Sequence, residues 1–143
     1  MEIRTEVEIA APAREVWRAL TEFAEYQEWN PFITQISGEL AEGQTLSVSL
    51  SLPEGRDFVI QPRLLRCQES EELRWRGHFL FPGLFDGEHF FRLEALGRDR
   101  TRFVQGENFT GLLVRFAGRT ITRAARGFVY MNQALKRRVE ASR

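Results

Sequence analysis

The C-terminal segment carries the pattern that most constrains how this chain can fold. Apolar residues recur there at steps of three and four, the spacing of one face of an α-helix. They are Leu113, Ala117, Ile121, Ala124, Phe128, Met131, Leu135 and Val139. The spacing predicts one amphipathic helix from about residue 112 to 141, about 45 Å long at 1.5 Å per residue. Gly118 and Gly127 interrupt it and are interpreted as a bend or as a close approach to another layer.

So long an apolar face must be covered, and residues 32–110 supply the cover. This region reads as a series of strands separated by turn residues such as Gly38 and Pro82-Gly83. In the clearest strand, leucine and valine alternate with serine at Leu46, Ser47, Val48, Ser49, Leu50, Ser51 and Leu52. Such alternation places one face on a core and the other in water, so we expect an antiparallel sheet lying on the helix.

The N-terminal segment predicts a strand followed by two short helices. Residues 2–9 alternate charged and apolar side chains, as a half-buried strand does. Pro12 can open a helix because a first-turn N–H needs no partner within the helix, and apolar residues at helical spacing follow it. A second helix is predicted over Glu22 to Glu28, ending before Asn30-Pro31, because the residue before a proline is disfavoured in the α region.

Composition excludes several classes of function. At 143 residues the chain is expected to form a single domain, residues 1–143. Twenty basic residues balance twenty acidic ones, so the net charge predicts no attraction to nucleic acid. Cys67 is the only cysteine and there are two histidines, so we expect no disulfide, no metal and no cofactor. With no apolar leader and no membrane-length run, the chain is expected to be cytoplasmic and not an integral membrane protein.

Several segments resemble one known superfamily. The opening IAAPAREVW at residues 9–17 and FAEYQEWNP at residues 23–31 resemble the start of START-like (SRPBCC) proteins, and later strands resemble small bacterial members of their polyketide cyclase/dehydrase-like group. The resemblance extends to residues 131–140. It implies an α+β helix-grip fold, in which a curved antiparallel sheet of about seven strands wraps around a long C-terminal helix, with two short helices after the first strand. It also implies a cavity for apolar ligands, but no single reaction.

Strand parity predicts which side chains line that cavity. If the more aromatic face of each late strand points inward, an aromatic wall with few polar groups results. Trp29, at the end of the second helix, is added as a cavity rim, and Phe128 and Met131 of the long helix as core positions that can also contact a ligand. The predicted ligand-binding residues are Trp29, Trp75, Phe79, Phe81, His89, Phe91, Phe103, Gln105, Glu107, Phe109, Phe128 and Met131. His78 falls on the opposite parity and is predicted to lie at the surface.

His89 and Glu107 are the candidate catalytic residues. One hairpin separates them, and if the two strands pair, their side chains share a face and can meet. Such a pair can act as a general acid and base, or bind a ligand carbonyl or hydroxyl. It can also be a structural hydrogen bond between two inward polar groups, and this interpretation is favoured over catalysis.

The sequence therefore predicts a protein that binds a small hydrophobic molecule, such as a lipid, an aromatic compound or a polyketide-like compound. The alternative is a cyclase or dehydratase that uses His89 and Glu107 in the same cavity. A third possibility, a module that binds a protein partner through its sheet, lacks a long exposed apolar strand to support it. The identity of the ligand and the oligomeric state are left open.

Overall fold

A computed structural model describes residues 1–79 and 81–143, and shows an α+β helix-grip fold. Three helices are present in this part of the chain: α1 (Ala13–Thr21), α2 (Tyr26–Trp29) and α3 (Gly118–Ala141). The strands are β1 (Glu2–Ile9), β2 (Ile33–Ser37), β3 (Ser47–Ser51), β4 (Asp57–Ile60), β5 (Arg63–Gln68), β6 (Glu72–His78), β7 (Asp86–Gly97) and β8 (Arg100–Thr110). None of the helices in the described residues is both long and apolar enough to cross a bilayer.

The strands form two antiparallel groups that curve around α3. Five strands pair in the order β1-β8-β7-β6-β5, and three pair in the order β2-β3-β4. The expected sheet of about seven strands is thus eight strands in two hydrogen-bonded groups. Pro62 lies where β4 would continue into β5, and it has no N–H to extend a ladder. Its carbonyl instead accepts from the N–H of Leu46 at 2.9 Å, which holds the two groups together.

The long helix begins later than the sequence predicts. Its predicted start at residue 112 is wrong because Gly111 takes a left-handed conformation, with φ at +117°, that turns the chain. The N–H groups of Leu112 and Leu113 then donate to the carbonyls of Gly83 and Leu84, at 3.1 and 3.0 Å. These bonds join the segment before α3 to the loop between β6 and β7, and only a short 3₁₀ turn, Val114–Phe116, forms before the helix.

The second predicted helix is also shorter than expected. A 3₁₀ turn at Phe23–Glu25 precedes α2, so regular helix occupies only the second half of the predicted Glu22 to Glu28 and extends one residue beyond it. After α2 the side-chain oxygen of Asn30 accepts from the N–H groups of Phe32 and Ile33, at 3.0 and 2.9 Å. This turn brings Phe32 against the long helix.

Gly127 marks a close approach of another layer to α3. A Cβ atom placed on it would lie 2.4 Å from the ring of Phe32, so only glycine lets β2 lie this near α3. The Phe32 ring also meets the edge of Phe128, with the two ring centroids 5.4 Å apart. Gly118, by contrast, has no neighbour within 4 Å of such a Cβ and is simply the first residue of the helix.

The core fills the space under the C-terminal half of α3. Phe128, Met131 and Leu135 are fully buried there, together with Phe91 and Phe103 of the sheet. Close packing of large rings of this kind leaves little room. Ile121 and Ala124, nearer the N-terminal end of α3, are also buried, but their side chains are smaller.

Candidate functional site: an apolar cavity with a polar inner end

A cavity of about 770 Å³ lies between the N-terminal half of α3 and both groups of strands. This volume falls in the range of small-molecule sites. Ile33, Leu50 and Leu52 contribute to one wall, and Trp75, Phe85 and Phe109 to the opposite wall. The helical side is formed by residues that include Leu113, Ala117 and Ala124. The walls are therefore mainly aliphatic and aromatic.

The mouth of the cavity is open to solvent and is partly charged. Phe79 and Phe116 line it while remaining 53% and 72% exposed. Arg56 and Asp57, at the start of β4, and Arg123 of α3 also line the cavity. A ligand entering here would pass exposed aromatic rings and charged groups before reaching the apolar walls.

His89 and Glu107 form a polar group in the sheet wall. They stand directly opposite each other in the β7–β8 register, on the shared face predicted for them, and His89 Nδ1 lies 2.8 Å from Glu107 Oε1. The imidazole is 4% exposed. It stacks on the Trp75 ring at 5.4 Å between centroids and meets the edge of Phe128 at 4.8 Å. Aromatic packing thus fixes the plane of the imidazole.

The other nitrogen of His89 is held by a buried polar network. Nε2 lies 2.9 Å from Gln105 Oε1, and Gln105 Nε2 donates to Asn132 Oδ1 at 2.7 Å and to the carbonyl oxygen of Phe128 at 3.4 Å. Asn132 Nδ2 donates to Thr5 Oγ1 at 2.8 Å, and the Thr5 hydroxyl donates to the carbonyl oxygen of Gln105 at 2.9 Å. The network therefore links four elements, β1, β7, β8 and α3.

This network assigns a proton to His89 Nε2. The backbone carbonyl of Phe128 can only accept, so the Gln105 atom facing it is the NH₂ group and the atom facing His89 is the carbonyl oxygen. The Thr5 hydroxyl donates its hydrogen to the Gln105 backbone carbonyl, so its oxygen must accept from the NH₂ group of Asn132. The carbonyl oxygen of Asn132 then faces the NH₂ group of Gln105, which agrees with the orientation set by Phe128. Because an amide oxygen accepts only, His89 Nε2 must carry a hydrogen.

The contact at Nδ1 then requires a second hydrogen between His89 and Glu107. Either Nδ1–H donates to an ionised carboxylate, or a protonated carboxyl group donates to Nδ1. Both nitrogens of the ring are engaged within the protein.

Glu107 Oε2 is the atom of the pair that is left without a partner. No hydrogen bond or ion pair reaches it from residues 1–79 and 81–143, and it is not sealed from solvent. It lies over Gly87, where an added Cβ would stand 1.9 Å away. Gly87 therefore makes room for the carboxylate. Strand parity contains the signal for this residue, because Gly87 shares a face with His89 and a glycine inside a strand marks a close approach.

The structure divides the predicted site residues into three groups. Those that line the cavity are Trp75, Phe79, His89, Glu107 and Phe109. Those that are buried in the core or the polar network and form no part of the wall are Phe91, Phe103, Gln105, Phe128 and Met131. Those that lie away from it are Phe81, which is 58% exposed, and Trp29, which meets the edge of Tyr26 at 5.1 Å between ring centroids.

Each departure from the prediction has a local cause. Phe91, Phe103 and Gln105 of the sheet are buried together with Phe128 and Met131 of α3, where the helix and the sheet pack on each other. Phe81 lies outside because β6 ends at His78, so the alternation of faces does not continue to residue 81. His78, the last residue of β6, is exposed, as predicted. It also lines the mouth of the cavity, which strand parity did not predict.

Sequence reasoning missed the wall formed by β2, β3 and β4. Leu50 and Leu52 had a clear alternating pattern, but that pattern does not distinguish a core face from a cavity face. Arg56 and Asp57 gave no signal, because single charges near a turn are normally solvated. Within the described ranges, no group of three or more His, Cys, Asp or Glu side chains is placed to hold a metal ion.

Comparisons with known proteins agree with this architecture. The family described as polyketide cyclase / dehydrase and lipid transport matches residues 1–140. A search of the curated proteins finds no match. Among solved structures, the Zhui aromatase/cyclase from Streptomyces sp. R1128 is similar at a TM-score of 0.80 and 18% identity, covering 98% of this chain and 93% of that one.

Two further solved structures show how widely this fold is distributed. A START superfamily protein from Mycobacterium smegmatis has a TM-score of 0.78 and 22% identity, covering 99% of both chains. A norcoclaurine synthase point mutant from Thalictrum flavum has a TM-score of 0.77 and 14% identity, covering 99% of this chain and 95% of that one. At these identities the likeness shows the fold alone.

Proposed function

We propose that this chain, which belongs to the polyketide cyclase/dehydrase and lipid transport family, binds a small hydrophobic ligand in the cavity under the N-terminal half of α3. The observation that carries the proposal is the space itself, about 770 Å³ of mainly apolar volume open at one end. Transfer of apolar ligand surface from water into such a space contributes about 25 cal/mol per Å². The His89–Glu107 pair supplies the polar contact that orients the ligand.

The size and shape of the cavity favour a ligand with rings. Trp75, Phe85 and Phe109 present aromatic surfaces in one wall, and the rings of Phe85 and Phe109 lie 5.6 Å apart. Flat aromatic molecules gain both area burial and ring contacts there. Fatty acids and sterols can also use the aliphatic wall opposite, so a screen should include them.

A ligand screen on matched variants tests the proposal. Wild-type protein is examined by native mass spectrometry and thermal shift with fatty acids, flavonoids, sterols and aromatic polyketides. Ala124→Phe places a ring in the cavity, whereas Ala125→Phe makes the same change at the next residue of α3, which does not line it. We expect binding by the wild type and by Ala125→Phe, and its loss in Ala124→Phe.

Equal binding by both variants would contradict the proposal, because the ligand would then lie elsewhere. Failure of the wild type to bind any compound of the screen would contradict it as well. Circular dichroism of both variants shows whether the added ring has disturbed the fold.

A second candidate function is catalysis of proton transfer, as in a cyclase or dehydratase. The observation that favours it is the 2.8 Å contact between His89 Nδ1 and Glu107 Oε1 in the cavity wall, which leaves Glu107 Oε2 without a partner in the described residues. Glu107 is the group that would touch the substrate, and His89 would position it and accept or return the proton. In the base direction, Glu107 removes a proton from a carbon next to a carbonyl group, and the pair returns it to the same carbon or to a leaving oxygen.

Deuterium exchange tests this second function without knowledge of the natural substrate. 2-Tetralone has two fused rings and acidic C–H groups next to its carbonyl. If the pair is catalytic, wild-type protein in D₂O should accelerate exchange at these positions, as followed by proton NMR, and Glu107→Gln should not. If 2-tetralone binds but its C–H groups exchange no faster than in buffer alone, the catalytic function is contradicted and only the binding function stands.

A further inference from the structure

We infer that the cavity selects ligands that carry a hydrogen-bond donor, a phenolic or alcoholic hydroxyl group, and not ligands that offer only a carbonyl or ether oxygen. This inference rests on the proposed binding function and specifies the ligand class for the same cavity. It follows from the His89–Glu107 pair in the sheet wall, in which both imidazole nitrogens are already engaged and Glu107 Oε2 is not.

The imidazole has no hydrogen to offer a ligand. Its Nε2–H is directed to Gln105 at 2.9 Å, and its Nδ1 is engaged with Glu107 at 2.8 Å. The ring is also 4% exposed and is covered by Trp75 and Phe128. A ligand carbonyl in the cavity therefore finds no N–H group on His89.

Glu107 Oε2 is an acceptor in either state of the pair. If the carboxylate is ionised, both its oxygens only accept. If the carboxyl is protonated, its hydrogen lies on Oε1, since that is the oxygen facing His89 Nδ1, and Oε2 is then the carbonyl-type oxygen. The preference for a donor does not depend on where the shared proton resides.

The position of Oε2 makes an unfilled acceptor costly. A carboxylate oxygen that loses contact with water when an apolar ligand enters must find another donor or carry the full cost of desolvation. A ligand hydroxyl supplies that donor, whereas an ether or ketone leaves Oε2 unpaired. Arg56 and Arg123 do not compensate, because neither forms an ion pair with Glu107 within the described part of the chain.

Three ligands with the same two-ring body test the inference by isothermal titration calorimetry. 2-Naphthol carries a donor, 2-methoxynaphthalene replaces it by an ether, and 2-acetylnaphthalene offers only a carbonyl acceptor. We expect wild-type protein to bind 2-naphthol roughly 10- to 100-fold more tightly than the other two, the range for a hydrogen bond to a charged group.

Variants of the carboxylate separate the donor contact from apolar binding. Glu107→Gln keeps a neutral acceptor oxygen and should reduce the preference to a few-fold, and Glu107→Ala should abolish it. Both should still bind 2-methoxynaphthalene with at most a small change. Asp57→Asn, which removes a carboxylate at the mouth, should keep the full preference for 2-naphthol.

The outcomes distinguish this inference from the function beneath it. Equal affinity of the wild type for all three ligands, or tighter binding of 2-acetylnaphthalene, would overturn the donor preference while binding itself stands. A preference for 2-naphthol that survives in Glu107→Ala would also overturn it. Binding of none of the three would contradict the proposed function on which the inference rests.

Discussion

Gly87→Ala is the substitution that probes the polar group most directly. The added Cβ would lie 1.9 Å from Glu107 Oε2 and 3.0 Å from its Cδ, so the carboxylate must leave its position. Because Glu107 is a flexible side chain, the backbone can stay in place. What is lost is the 2.8 Å contact with the buried His89.

The expected cost follows from two opposing terms. A hydrogen bond to a charged group contributes about 1.5–3 kcal/mol. Replacing glycine by alanine within a strand returns about 0.5–1 kcal/mol through the lower entropy of the unfolded chain. The net effect is a loss of about 1–2 kcal/mol in the free energy of unfolding, which corresponds to a melting temperature lower by roughly 3–6 °C.

Urea denaturation measures this loss, and two comparisons make it specific. Gly97→Ala, on the same strand but with no neighbour within 4 Å of the new Cβ, should be neutral or slightly stabilising. In a Glu107→Ala background the obstructing carboxylate is absent, so Gly87→Ala should no longer destabilise. A Gly87→Ala protein as stable as the wild type, or an equal loss in both backgrounds, would refute the reasoning.

Three other predictions concern the surroundings of the cavity. Asn132→Leu removes one acceptor from the Gln105 amide and should lower the free energy of unfolding by about 1–2 kcal/mol, measured by urea denaturation. An unchanged free energy of unfolding would show that the network does not stabilise the fold. Gly127→Ala drives a Cβ to 2.4 Å from a buried ring and should cost about 1–3 kcal/mol by thermal melting, and an unchanged melting temperature would refute the close approach. Burial, together with neighbouring carboxylates, raises the pKa of the Cys67 thiol, so less thiolate is present at pH 8. Iodoacetamide should therefore alkylate Cys67 more slowly than the cysteine of an unstructured peptide, and alkylation at the rate of the peptide would contradict this.

Local patterns in the sequence predicted an antiparallel sheet lying on a long C-terminal helix, and the resemblance to START-like proteins implied the helix-grip fold. The apolar period of α3 and the alternation in the strands are imposed by burial on one face, so they are visible residue by residue. The meeting of His89 and Glu107 was predicted from the aromatic faces of two strands joined by one hairpin. Their exact register also depends on the irregularity between Ala95 and Gly97, which has no signal in the sequence pattern.

The extent of the cavity could not be predicted in this way. Phe91 and Phe109 both lie on inward faces of the sheet, yet the first is covered by α3 and the second faces open space. The difference depends on how closely the two halves of one helix approach the sheet. That distance is set by contacts far apart in sequence, such as the one between Gly127 and Phe32.

The polar network was hidden for a related reason. Asn132 belongs to a helix and Gln105 to a strand, and Thr5 lies at the other end of the chain. A single asparagine in a helical pattern has no local signature that distinguishes a buried partner from a solvated side chain. Only the packing of β1, β8 and α3 brings the three together.

A crystal structure of the protein with 2-naphthol tests the central claim most directly. The account predicts the two rings between Trp75 and Ala124, with the hydroxyl oxygen about 3 Å from Glu107 Oε2. It would be contradicted by a structure in which Phe109 and Phe116 close onto the other wall and fill the cavity, leaving the naphthol bound elsewhere or not at all.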